Sequence, residues 1–152
     1  MKKILSILGS ISLIGTSTTS LVSCDEEPKC ENKIIGSLKK ICSSNKAFHE
    51  DNNKWYFVIA RGENNKWNII KFQNNSKPKD IYNSNEYDIA LSHGKRYYSG
   101  LVLWIKKYDK KFPHTWGQDK GEYFKNVYQW LGDNETINND ILKIDENGNI
   151  IV

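Results

Sequence analysis

The residues with the most definite chemistry in this sequence are Leu21-Val22-Ser23-Cys24, which close a short apolar leader. This pattern fits a lipobox, the site at which a bacterial peptidase cleaves before a lipid-modified cysteine. Cys24 is required because only a thiol can carry the diacylglyceryl thioether, and Ser23 is small enough to fit beside the scissile bond. The sequence therefore predicts lipidation at Cys24 and removal of residues 1–23.

The leader has the three parts of a secretory signal. Lys2 and Lys3 form its positive end, residues 4–14 form an apolar core, and small residues lead to the cleavage site. A transmembrane helix needs about 20 mostly apolar residues, and this core has roughly half that length. Two acyl chains suffice for stable attachment. We therefore expect a protein of the cell membrane that is held by diacylglycerol and palmitate, with its domain on the extracellular face.

The leader combines residues 1–11, which read MKKILSILGSI, with a Thr/Ser-rich run before Val22-Ser23-Cys24. It resembles the leaders of mollicute lipoproteins, particularly those of Spiroplasma, and the match covers about the first 24 residues. Abundant Lys, Asn and Ile, with Arg61 and Arg96 as the two arginines, agree with an AT-rich genome. The resemblance implies a wall-less cell whose surface proteins face the host or the medium directly.

The rest of the sequence is long enough for one domain. We assign residues 1–23 to a lipoprotein signal peptide, 24–32 to a lipidated polar tether and 33–152 to a single extracellular domain. Removal of the leader leaves about 130 residues, too few for two domains. The leader also carries half of the formal net charge of +4. The remaining lysines are spread along the chain with acids between them, a distribution that indicates solvated surface and argues against nucleic-acid binding.

Two cysteines remain once Cys24 is lipidated. On the exported side a disulfide between Cys30 and Cys42 can persist, and closing that loop would contribute roughly 3 kcal/mol in the chain-entropy model. The alternative is two separate thiols, one of them buried. A zinc site is not expected, because the sequence has neither a Cys-x-x-Cys motif nor paired histidines. No cofactor is predicted.

Local patterns predict both strands and helices. Residues 55–60 and 66–72 are rich in aromatic and β-branched side chains around a Gly- and Asn-containing turn, which indicates a β-hairpin. Residues 86–91 could add a third strand, and residues 141–144 and 149–152 flank an Asn-Gly turn that predicts a second hairpin. Helical apolar spacing predicts helices over 33–42, 97–108 and 120–131. The expected fold class is therefore α+β, a small antiparallel sheet built from β-hairpins with two or three packed amphipathic helices.

Aromatic residues provide the candidate ligand-binding groups. Exposed aromatic rings beside asparagine side chains can stack on sugars or anchor a protein interface. Trp55, Trp67 and Trp104 lie on apolar faces of predicted elements and are assigned to packing. The candidates for ligand binding are the loop residue Trp116 and the adjacent pair Tyr97 and Tyr98. No catalytic residues are predicted, and His49, His93 and His114 are interpreted as surface histidines in loops.

One enzyme family is distantly similar to part of the chain. The run from Trp55 to Leu101, including residues 87–97 (YDIALSHGKRY), resembles the first half of ribosome-inactivating proteins, with Tyr97 or Tyr98 in place of the substrate-stacking tyrosine. That family cleaves the adenine–ribose bond with a Glu-x-x-Arg motif on a later helix. Neither Arg61 nor Arg96 has a glutamate three residues before it. The resemblance thus implies a shortened, catalytically incomplete N-glycosidase.

These observations favour a non-enzymatic binding or interaction module on the cell surface. Its expected partners are the membrane, through the lipid anchor, and a host-surface protein or glycan. Two alternatives remain at this stage. One is the shortened relative of ribosome-inactivating proteins, and the other is a structural surface-coat lipoprotein.

Overall fold

The structure, a computed structural model, describes residues 30–62, 66–83, 87–94, 100–132 and 141–151. The predicted α+β class is wrong. Strands dominate these ranges, and they contain no helix of seven or more residues. A 3₁₀ turn covers Lys46–Phe48. The strands are β1 (Ile34–Ile35), β2 (Leu38–Ile41), β3 (Trp55–Arg61), β4 (Trp67–Gln73), β5 (Lys79–Asn83), β6 (Tyr87–Gly94), β7 (Gly100–Lys107), β8 (Lys110–Thr115), β9 (Phe124–Trp130), β10 (Lys143–Ile144) and β11 (Ile150–Ile151).

The larger sheet has five antiparallel strands in the order β1-β2-β9-β3-β4. Its β3–β4 pair confirms the first predicted hairpin, with a register that runs from Trp55 opposite Gln73 to Arg61 opposite Trp67. The strand β9 comes from much later in the chain and inserts between β2 and β3. Side chains alternate between the two faces of a strand, so Val58 and Ile59 of β3 enter different apolar clusters.

The second sheet is a four-stranded antiparallel meander in the order β5-β6-β7-β8. The predicted third strand is confirmed within the described residues, as β6. Alternate residues of β6 and β7, including Ile89, Leu91, Leu101 and Leu103, join residues of the five-stranded sheet in one buried cluster. The two sheets therefore pack face to face as a sandwich, and this main core lies between them.

The opposite face of the five-stranded sheet carries a second core. Phe57, Ile59 and Tyr128 of the sheet pack there with Leu142 and Ile150 from the C-terminal part of the chain. The strands β10 and β11 pair antiparallel around residues 145–149, which confirms the second predicted hairpin. Both faces of the five-stranded sheet are therefore covered.

Polar contacts hold this C-terminal hairpin on the sheet. The Asn126 side chain donates a hydrogen bond to the Gly148 carbonyl at 2.7 Å, and Lys40 Nζ donates to Asn149 Oδ1 at 3.2 Å. The Ile150 amide donates to the Tyr128 hydroxyl at 3.3 Å. These bonds join β2 and β9 to the hairpin turn.

The three predicted helices are wrong. Residues 33–42 form β1 and β2 with a turn at Gly36, whose φ of 56° favours glycine. The described part of 97–108 is β7, and most of 120–131 is β9. Strands that are buried on both faces are apolar at consecutive positions, and such runs also contain the i, i+3, i+4 spacing of a helix.

A disulfide joins Cys30 to Cys42, with the two Cα atoms 5.6 Å apart. Cys42 directly follows β2 and is buried, whereas Cys30 and residues 31–34 are exposed. The bridge therefore ties Cys30 to the end of β2.

Candidate functional site

Trp116 is the predicted ligand-binding residue whose position the structure describes. It lies in the turn after β8 and is half-buried. Its ring packs edge-on against Phe48, with ring centroids 5.8 Å apart and an interplanar angle of 82°, and joins the main core. Tyr97, Tyr98 and the lipobox residues Leu21, Val22, Ser23 and Cys24 lie outside the described residues.

An open groove of about 750 Å³ runs beside Trp116, Cys30 and Lys40. Asp119 also lines it, but one oxygen of its carboxylate accepts hydrogen bonds from the backbone amides of Tyr123 and Phe124, at 2.8 and 2.7 Å. Burial lowers the pKa of Lys40, with Asp145 acting in the opposite direction and Lys33 adding to the decrease. Trp116 and Asp119 thus hold the turn between β8 and β9 in place.

A second open groove, of about 790 Å³, lies along β4 and the segment that follows it. We call it the Trp55 groove. It combines one exposed edge of the five-stranded sheet with the beginning of the four-stranded sheet. The residues that could contact a ligand are Trp55 from β3, Asn68, Lys71 and Gln73 from β4, Asn75 and Lys77 from the connection, and Lys79, Asp80 and Ile81 from β5.

Trp55 differs from Trp116 in its packing. It is the first residue of β3, is half-buried and belongs to neither apolar cluster. The ammonium group of Lys71 lies 4.8 Å from the centroid of its ring, a cation–π distance. An aromatic surface and a cation therefore stand next to each other in the groove.

Side-chain amides line the groove close to Trp55. Gln73 donates a hydrogen bond to the Asn53 carbonyl at 3.2 Å and accepts one from the Asn75 amide at 3.0 Å. The Asn75 side-chain oxygen accepts a bond from the Lys77 backbone amide at 2.9 Å. A primary amide has two N–H donors and two acceptor lone pairs. These internal bonds orient the amides while leaving further capacity for the hydroxyl groups of a ligand.

The groove is positively charged. Lys71, Lys77 and Lys79 line it together with a single acid, Asp80. Lys77 and Lys79 are exposed and flank Pro78, whose ring restricts the backbone between them. The charges and the amides suit an anionic ligand that also carries hydroxyl groups.

We call the connection between β4 and β5, residues 74–78, the groove segment. A buried polar network at Asn74, which is 0% exposed, holds this segment in place. Its side-chain nitrogen donates to the carbonyls of Ala47 and Glu50, at 2.9 and 3.0 Å. Its side-chain oxygen lies 2.7 Å from His93 Nδ1. Its backbone carbonyl accepts from the amides of Asn52 and Asn53. The segment before β3 and the segment after β4 are therefore held together at one residue.

The same network places His93, which was predicted to lie in a surface loop. That prediction is wrong, because His93 belongs to β6 and is buried. Asn74 donates both amide hydrogens to carbonyls, so its oxygen faces the ring and Nδ1 carries a proton. On the other side Nε2 lies 3.0 Å from Asp51, whose second oxygen accepts a bond from the Ser76 hydroxyl at 2.8 Å. The chain Asn74–His93–Asp51–Ser76 thus connects β6 to the groove segment.

Among the described residues, no group of three His, Cys, Asp or Glu side chains is arranged to hold a metal ion. None of the helical segments in these ranges has the length and apolar character needed to cross a membrane. Comparisons with family models, with curated proteins and with solved structures found no match to the chain.

Sequence reasoning missed Trp55, the groove lysines and the Asn74 network. For His93 a signal was present, because Ile89, Leu91 and His93 occupy alternate positions of one strand and share its core-facing side. Lys77 and Lys79 stand in a polar stretch with no distinguishing pattern. Their proximity to Trp55 depends on how β4 leads into β5, which the sequence does not reveal.

Proposed function

We propose that this chain is a lipid-anchored surface protein that binds acidic glycans in the Trp55 groove. The anchor is supported by the leader and by Leu21-Val22-Ser23-Cys24. The proposed ligand class rests on the position of Trp55, which lies outside both cores and next to Lys71 and oriented side-chain amides. The domain would act outside the cell without catalysing a reaction.

Each group in the groove fits one part of such a ligand. The flat faces of tryptophan present an apolar surface to the C–H face of a sugar ring, while amides bond to its hydroxyl groups. Lysine ammonium groups form charge-assisted hydrogen bonds with carboxylate or sulfate groups. With three lysines and one aspartate, the groove favours uronate, sialylated or sulfated sugars over neutral ones.

A glycan array tests this proposal. The soluble chain from residue 25 onward contains all the described strands and both core clusters, whose members lie between Leu38 and Ile150. It should bind acidic oligosaccharides and leave their neutral counterparts unbound. Binding restricted to neutral sugars, or no binding by a folded domain, would contradict the proposed ligand class.

Matched variants locate the site. Trp55→Ala should weaken binding about tenfold, which corresponds to about 1.4 kcal/mol. Trp116→Ala removes a tryptophan that packs against Phe48 and should lower stability more than affinity. If Trp116→Ala abolishes binding in a folded domain while Trp55→Ala does not, the ligand occupies the groove beside Trp116 and Lys40, and the assignment to Trp55 is wrong.

The anchor has its own test. Cys24→Ser should prevent incorporation of labelled palmitate and leave the leader attached, because the thioether can no longer form. Labelling that persists in this variant would disprove the lipobox.

A further inference from the structure

The turn between β7 and β8 carries an unusual concentration of charge. Four lysines surround a single aspartate in Lys106-Lys107-Tyr108-Asp109-Lys110-Lys111. The register places Lys106 directly opposite Lys111 and Lys107 directly opposite Lys110. Like charges that face each other across a strand pair are destabilising. On its other side Lys106 is in register with Asp88 of β6.

The aromatic residues at this turn also occupy energetically unfavourable positions. Tyr108 has a φ of 55°, a conformation that glycine or asparagine adopts more readily than a bulky residue. It is 64% exposed, and Phe112 is 46% exposed. Two aromatic side chains and four lysines therefore share one end of the sandwich, and neither aromatic side chain belongs to a buried cluster.

We propose that this turn, residues 106–112, is a docking site for an anionic phospholipid bilayer. Lysines near such a surface are attracted by its negative potential, each contributing roughly fivefold in partitioning. Tyrosine and phenylalanine bury apolar surface at the boundary between headgroups and acyl chains. An anionic bilayer compensates for both unfavourable features of the free turn. Its phosphates reduce the repulsion between the lysines, and its apolar boundary region accepts the aromatic rings.

The position of the turn indicates which bilayer it meets. Cys30, the first described residue after Cys24, lines the same groove as Ser43 and Gly117. Gly117 lies against Ser43, two residues beyond the Thr115 end of β8. The turn is at the opposite end of β8, about 20 Å away for a strand of this length. This separation favours a bilayer that faces the anchored one, because the turn would reach the anchoring bilayer only if residues 24–30 extended along the whole length of β8, at about 3.5 Å per residue.

Vesicle sedimentation with the soluble chain from residue 25 onward tests the site without the lipid anchor. It should bind phosphatidylcholine vesicles that contain about one third phosphatidylserine, and binding should weaken as salt is raised. Lys110→Gln/Lys111→Gln should reduce partitioning about 30-fold, and Tyr108→Ser/Phe112→Ser should also reduce it. The lysine variant should be at least as resistant to urea as the wild type, because it removes like-charge pairs.

The control variant is Lys77→Gln/Lys79→Gln, which removes the same charge from the Trp55 groove. It should weaken acidic glycan binding and leave vesicle binding unchanged, so the two proposals can fail separately. Equal loss of vesicle binding in both variants would show that net charge alone drives it. Loss of heparin binding in Lys110→Gln/Lys111→Gln, with no vesicle binding by the wild type, would reassign the turn to polysaccharide.

Bridging of vesicles tests whether the turn binds the membrane that faces the anchored one. Lipidated protein in neutral vesicles should cross-link them to anionic vesicles and raise turbidity, and Lys110→Gln/Lys111→Gln should abolish the effect. Vesicle binding by the soluble domain without bridging by the lipidated form would place the turn on the anchoring membrane instead.

Discussion

Replacing Asn74 with alanine should be among the most destabilising single changes in the domain. It removes one hydrogen bond from each of three groups, namely the carbonyls of Ala47 and Glu50 and the buried Nδ1 of His93. The Ala47 carbonyl keeps a bond from the Asn52 side chain, so His93 Nδ1 is the buried group that loses its partner. A buried polar group left unsatisfied costs about 1–3 kcal/mol. With about 2 kcal/mol for His93 Nδ1 and about 1 kcal/mol for each lost bond to a carbonyl, we expect a total loss of about 4 kcal/mol. That is a large fraction of the 5–15 kcal/mol typical of a domain.

Urea unfolding followed by tryptophan fluorescence measures this loss. Asn75→Ala is the matched control, since it deletes the same side chain one residue later, where the amide is only half-buried and bonds to Gln73 and Lys77. We expect that control to lose about 1 kcal/mol or less. If the two variants unfold at the same urea concentration, Asn74 does not hold the groove segment in the way described here.

Three further predictions concern other parts of the fold. Replacing Cys30 and Cys42 with serine should lower stability by roughly 3 kcal/mol, and dithiothreitol should then have no further effect on the unfolding midpoint, unlike in the wild type. Hydrogen bonds from the backbone and side chain of Asn149 lower the pKa of Asp145. The stabilising contribution of this carboxylate is therefore present above pH of about 4 and is lost as pH falls through its folded-state pKa. Asp145→Asn should flatten this part of the curve of stability against pH, and an unchanged curve would refute the assignment. Gly148→Ala should lower the free energy of unfolding by about 2–3 kcal/mol, because φ is 74° and the new methyl carbon would lie 2.7 Å from the Lys125 side chain. Gly36→Ala, where φ is 56° and the space is open, should lower it by about 1 kcal/mol, and thermal unfolding measures both losses.

The hairpins were predictable because their signals are local. Residues 55–60 and 66–72 combine β-branched and aromatic side chains with a polar turn, and neighbouring strands in sequence often pair. The Asn147-Gly148 turn between residues 145 and 149 is similarly self-contained. Such patterns need no knowledge of the rest of the chain.

The helix predicted over 120–131 failed for a different reason. In β9 both Phe124 and Val127 enter the main core although they are three residues apart, an odd spacing that strict alternation would place on opposite faces. The register with β3 shifts between Val58 and Ala60, and this irregularity brings both side chains to the same face. A β-bulge thus reproduced the i, i+3 spacing of an amphipathic helix.

The helix predicted over 97–108 failed because β7 is buried on both faces. Leu101 and Leu103 point into the main core, and Val102 between them is also fully buried. A continuous apolar run of this kind fits a helix and a strand equally well by periodicity. Only the pairing of β7 with β6 and β8 decides between the two.

The candidate site was less predictable than the hairpins. Trp55 has the pattern of a core-facing strand residue, yet it stands at the first position of β3, where neither core covers it. Trp116 has the pattern of an exposed loop residue, yet it packs on Phe48. In both cases the contacts are made by residues distant in sequence, and local patterns carry no information about them.

The most direct test of the Trp55 groove is to follow the indole N–H signals of the five tryptophans by NMR during titration with a sulfated or uronate-containing oligosaccharide. The signal of Trp55, assigned through its loss in Trp55→Phe, should shift in a saturable manner, while that of Trp116 stays in place. A saturable shift of Trp116 with Trp55 unmoved would contradict the account, as would the absence of any shift with the acidic sugars that the array identifies.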